Sequence, residues 1–183
     1  MKKVCVLLAD GFEESEVVVP VDLLRRGGVE VILTGVNGKS AVSSHGIRIE
    51  ADALLSEIDA AAADLLFVPG GLGGINGILA SKDACTALKT AAANGKWLAA
   101  ICAGPTVLSR LGLIDARNAV CYPGMEELLV PAVPHPECSV LQDGRLLTAR
   151  AAGAAFDLGL KMVEVLVDTD TAQGVRASVC YEG

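Results

Sequence analysis

Short runs of consecutive apolar residues alternate along the chain with longer stretches in which apolar and polar positions recur every three or four residues. This is the rhythm of strands alternating with helices. The runs at 4–9, 29–33, 65–68 and 97–101 read as strands, and the periodic stretches at 16–26 and 82–94 as helices, the second stopping at Gly95. Residues 65–68 and 97–101 are apolar throughout rather than alternating, as expected of strands covered by helices on both faces. The pattern therefore predicts an α/β chain with three layers and a mostly parallel sheet. A hairpin-like piece is expected around Val42 and 47–49, a strand at 119–122, a second hairpin across 139–148 turning at Asp143-Gly144, and a closing helix near 154–167. No repeat, low-complexity tract or long polar linker interrupts the 183 residues, so 1–183 is expected to form a single domain.

Composition narrows the function classes. Hydrophobic residues at 52% against 20% charged exclude disorder and point to a large aliphatic core. A formal net charge of -7 repels phosphate backbones, and 3% aromatics leave few platforms for stacking bases, so nucleic acid is not an expected partner. Lys2-Lys3 followed by six apolar residues imitates a secretory leader but is too short for one, and the run at 97–109 contains Gly104 and Pro105, so no membrane association is expected either. The six cysteines lack CxxC or Cys/His metal spacing, which fits free thiols in a reducing, cytoplasmic setting with no metal.

Candidate chemistry centres on Ala99-Ala100-Ile101-Cys102-Ala103-Gly104-Pro105, an apolar strand that ends at a cysteine and turns at once into a helix. A turn that sharp needs small neighbours, here Ala100, Ala103 and Gly104, and Pro105 suits the first helical turn. The thiol would sit above the carboxyl edge of the sheet, where the helix amino end should favour thiolate and lower its pKa. The loop Pro69-Gly70-Gly71 after the strand at 65–68 would bring backbone N–H groups to the same edge as an oxyanion pocket. Glu16, from the loop after the first strand, is the expected proton-handling partner, since neither His45 nor His135 adjoins the cysteine in sequence.

These blocks, together with Asp10-Gly11-Phe12-Glu13-Glu14-Ser15-Glu16, Pro20-Val21-Asp22, Arg25-Arg26 and Leu147-Thr148-Ala149-Arg150, resemble the ThiJ/PfpI superfamily over essentially the whole chain, in its DJ-one branch with bacterial ThiJ-like relatives. The resemblance implies a flavodoxin-like three-layer α/β/α sandwich, class I glutamine amidotransferase-like, that forms homodimers. It also implies that Cys102 is the nucleophile, that Glu16 hydrogen-bonds its sulfur, and that Gly70, Gly71 and Ala103 lie beside it. Tyr122, before Pro123, stands where better-known members carry a histidine, and a phenol, with an ordinary pKa of about 10, is a poor base near neutrality. Peptidase-like members place histidine directly after the cysteine, where this chain has Ala103. His45 matches a position where some relatives have arginine near the pocket, and Arg26 is a further pocket candidate.

What the resemblance implies is chemistry on reactive 2-oxoaldehydes without a cofactor: glyoxalase III activity, methylglyoxal to lactate, with protein deglycation as an extension. Two alternatives share the same thiol. One is a sensor or chaperone of oxidative stress whose Cys102 is oxidised to sulfinate; the other, lacking the usual base, is a cysteine hydrolase or peptidase.

Overall fold

The structure, a computed structural model, describes residues 1–183. Its first strand, β1 (Lys3–Leu8), shows why the sheet is buried on both sides. Val4, Val6 and Leu8 pack with one core of 23 residues, whereas Cys5 and Leu7 pack with another of 25. Alternate side chains leave opposite faces of a strand, so a run with no polar position requires helices above and below. Helix α1 (Glu14–Arg26) and helix α5 (Ala155–Leu166) supply one cover, and α2 (Leu72–Ala80), α3 (Lys82–Ala93) and α4 (Gly104–Arg110) the other.

The central sheet has seven strands. In chain order they are β1, β2 (Glu30–Gly35), β5 (Ala53–Leu54), β6 (Leu65–Val68), β7 (Trp97–Ile101), β10 (Val140–Asp143) and β11 (Leu146–Ala149). They lie in the order β10-β11-β7-β6-β1-β2-β5, parallel except where β10 closes back on β11. The parallel core β2-β1-β6-β7-β11 is the flavodoxin-like order, which reverses direction beside β1. The loops leaving β1, β6 and β7 therefore converge at one carboxyl edge. The two expected hairpins are present, β3 (Ser40–Val42) with β4 (Arg48–Glu50), and β10 with β11 through Gly144 at φ +56°.

Three expectations need correction. The segment 119–122 is not a strand along its length: only β8 (Asn118–Ala119) pairs, with β9 (Val133–Pro134). Beyond it, Val120 N–H donates to Thr148 Oγ1 (3.0 Å) and Tyr122 N–H to the Cys102 carbonyl (2.8 Å), so the segment crosses the sheet edge as a strap. Helix α2 is not among the expected elements, because Gly73, Gly74 and Gly77 are poor helix formers and hide it in the sequence pattern. Those glycines permit close packing: a Cβ on Gly73 would lie 2.9 Å from the Asp10 carbonyl oxygen, and one on Gly74 3.0 Å from Phe12 Cα. The last helix, α6 (Thr169–Ser178), follows the predicted one as a separate element whose start is capped by Asp168 accepting from Thr171 N–H at 2.7 Å. No helix is long and apolar enough to cross a membrane.

Candidate functional site

Cys102 follows β7 with φ +62°, a left-handed conformation that a residue with a Cβ rarely adopts. Its N–H donates to the Ala149 carbonyl (2.9 Å) and its carbonyl accepts from Tyr122 N–H, so β11 and the strap at 120–122 hold the strain. The small neighbours are required sterically, because a Cβ on Gly104 would collide with the Val68 carbonyl oxygen. The half-buried thiol faces Glu16, which α1 buries to 1% exposure. Gly70 N–H donates to Glu16 Oε2 at 3.0 Å, and the carboxyl is within hydrogen-bonding reach of the Cys102 thiol and the Ala152 N–H. Gly70 has no room for a side chain: a Cβ would lie 2.6 Å from Cys102 Cβ and collide with Glu16 Oε2.

The electrostatics of the pair differ from the sequence expectation. Burial, with the Glu16 negative charge and its hydrogen bond next, pushes the Cys102 thiol up to about 12, against the opposing pull of the Ala103 and Gly71 N–H groups. Burial likewise raises Glu16 to about 7, reinforced by Glu13 and opposed by Cys102 and the Gly70 and Ala152 amides. Desolvation thus outweighs the amino end of α4, a helix of only seven residues. Both groups being raised, the pair holds two protons in acid and one across the neutral and alkaline range. When that remaining proton resides on Glu16, the sulfur is a thiolate facing the carboxyl and the Ala103 and Gly71 N–H groups.

A cleft of about 690 Å³ opens over the thiol, with Leu72, Tyr122 and Met125 among its walls. Gly71 and Ala103 line it, as expected; Gly71, at φ +88°, is fixed as glycine because a Cβ would lie 2.8 Å from Glu13 N. Gly70 supports the pair from behind, but its N–H is already committed to Glu16 and is not free for an oxyanion. Tyr122 reaches the cleft wall and is 48% exposed. His45 does not line it: the ring is exposed in the β3–β4 turn, 2.9 Å from Glu14 Oε1 and 3.6 Å from Glu13 Oε2. Arg26 is also misplaced by the sequence reading, since it closes the opposite end of α1, ten residues or about 15 Å from Glu16, and pairs with Asp22 at 2.8 Å.

Glu13, just before the first turn of α1, also lines the cleft; its N–H donates to the Gly70 carbonyl at 3.1 Å, which ties the first loop to the glycine loop. Glu13, Glu14 and His45 are the one group of three side chains whose ligand atoms, all within 4.8 Å of one another, could share a cation. They are instead knitted to each other and to Ser44, and His45 is exposed.

The DJ-1/PfpI family pattern matches residues 2–165. Protein dj-1beta of Drosophila melanogaster is 36% identical over 176 residues, covering 95% of this chain and 94% of that protein. The glutathione-independent glyoxalase DJR-1.2 of Caenorhabditis elegans is 30% identical over 168 residues, 92% of this chain and 90% of that one. Among solved structures, a DJ-1 superfamily protein of Salmonella typhimurium superposes with a TM-score of 0.95 at 31% identity, with full coverage of both chains. The chain belongs to the DJ-1/PfpI family.

Proposed function

We propose that this DJ-1/PfpI chain is a cofactor-independent cysteine enzyme that isomerises and hydrates small 2-oxoaldehydes, converting methylglyoxal to lactate. The observation that carries the reading is the strained elbow thiol facing, within hydrogen-bonding reach, a buried carboxyl that burial raises to about 7. The C. elegans relative, a glutathione-independent glyoxalase, supports the reading.

With the shared proton on Glu16, the Cys102 thiolate adds to the aldehyde carbon, and the oxygen that gains the electron pair takes the Glu16 proton, giving a hemithioacetal. The Glu16 carboxylate, now free, removes the hydrogen from that carbon to form an enediol and returns a proton to the adjacent carbon, while the hydroxyl proton passes between the two oxygens. The product is a lactyl thioester on Cys102. Water then adds its oxygen to the acyl carbon and gives one proton to the Glu16 carboxylate as the C–S bond breaks, so that lactate leaves with its second proton lost to solvent and the thiolate and acid are restored. Gly71 and Ala103 N–H groups, already aimed at the sulfur, lie where an oxyanion formed beside it would need donors.

A proton route through Glu16 exchanges with solvent, whereas a direct hydride shift does not. In deuterium oxide, methylglyoxal is therefore expected to give lactate carrying deuterium at the second carbon, read by proton NMR. Lactate that keeps the substrate hydrogen there would overturn the Glu16 shuttle, and absence of lactate would overturn the proposed activity. Oxidation sensing by Cys102, the alternative reading, requires no lactate at all.

A further inference from the structure

The charge around the cleft is one-sided. Its ionisable lining groups are Glu13, Glu16, Cys102 and Tyr122, with no lysine, arginine or histidine among them. Glu13 is not a loose surface acid: its side chain is 21% exposed, Oε1 accepts from Ser15 Oγ (3.2 Å) and Oε2 from Ser44 Oγ (2.9 Å), and its backbone is pinned to Gly70. Glu14 lies behind it, paired with His45 at 2.9 Å, so even a charged imidazole leaves this rim with a net negative charge.

From this geometry we propose that Glu13 is a specificity-determining residue that admits uncharged electrophiles to Cys102 and rejects anionic ones. For turnover the inference rests on the activity proposed above; for access to the thiol it does not. The reactive pair carries one negative charge and Glu13 a second, both fixed beside the same narrow volume. At a separation of several ångströms and an intermediate effective dielectric, each like-charge contact is worth about a tenfold discrimination, and salt reduces it. The substrate class implied is 2-oxoaldehydes without carboxylate or phosphate.

Two paired measurements test this. Alkylation of Cys102 by iodoacetamide and by iodoacetate, followed by peptide mass, gives a neutral-to-anionic rate ratio to be divided by the same ratio for glutathione. The expected quotient is about 10 at low salt, falling to within about threefold of unity in Glu13→Gln and remaining high in Glu13→Asp, which keeps the charge. A quotient near unity in the parent protein, or one unchanged in Glu13→Gln, would overturn the proposal. The second pair is turnover of phenylglyoxal and 4-carboxyphenylglyoxal, for which kcat/KM should favour the neutral compound and lose that preference in Glu13→Gln. If alkylation shows the selectivity while neither glyoxal is turned over, the gate stands and the proposed reaction falls; if both are turned over equally in parent and variant, the gate falls and the reaction stands.

Discussion

Replacing Glu16 by glutamine is expected to lower lactate formation from methylglyoxal by about 10²- to 10⁴-fold, the range for loss of a positioned acid–base group. The amide can still accept from Gly70 N–H through its oxygen and donate toward Cys102 through its nitrogen, so the local geometry survives and only proton transfer is lost. The same substitution should make the protein more stable at alkaline pH. Glu16 is raised from its ordinary value of 4.5 to about 7 in the folded chain, so folding favours its protonated form. The corresponding stability is fully present below pH 4.5 and is lost as pH rises through 7, an amount on the order of 3 kcal/mol. Glutamine does not titrate and avoids that loss. The Tm of Glu16→Gln relative to the parent should accordingly rise by roughly 5–10 °C between pH 5 and pH 8. A Tm difference independent of pH would mean that the carboxyl is not held protonated by burial.

Cys102→Ser is expected to lower kcat by about 10³-fold or more, with the fold intact. The hydroxyl has nearly the volume of the thiol and tolerates the same positive φ, but Glu16, at about 7, is far too weak a base to ionise it. The other five cysteines remain in the variant: Cys5 and Cys121 buried, Cys85 and Cys138 half-buried, Cys180 exposed. None of them lines the cleft. Turnover within about tenfold of the parent protein would therefore show that the chemistry does not pass through this sulfur.

Much of the fold was legible because both-sided burial forces unbroken apolar runs, and these marked the central strands to within a residue or two. The elbow was legible for a related reason: a strand ending in Ile101-Cys102-Ala103-Gly104-Pro105 leaves the backbone little freedom but to turn. Helix α2 was not, since its glycines answer to a close approach by Gly11 and Phe12 that is distant in sequence and invisible to helical propensity. The strap at 120–122 was likewise set by partners, Thr148 and Cys102, outside its own neighbourhood.

Within the site, topology delivered Glu16, Gly71, Ala103 and Tyr122 to one edge as the reading expected, but it could not rank the forces on the thiol. A helix amino end is visible in sequence, whereas the burial that outweighs it is a property of packing. Arg26 was misjudged because helix length separates residues that are close in number, and Glu13 was overlooked because its role comes from the glycine loop bonded to its backbone.

The central claim is that Cys102 and Glu16 share one proton after the first has left near neutrality. Its most direct test is the rate of iodoacetamide addition to Cys102, followed by mass from pH 5 to pH 10. The shared proton predicts a rise that levels off with a midpoint near pH 7 and is displaced in Glu16→Gln. A single midpoint near 8.5, the value of an isolated thiol, unmoved by that substitution, would contradict it.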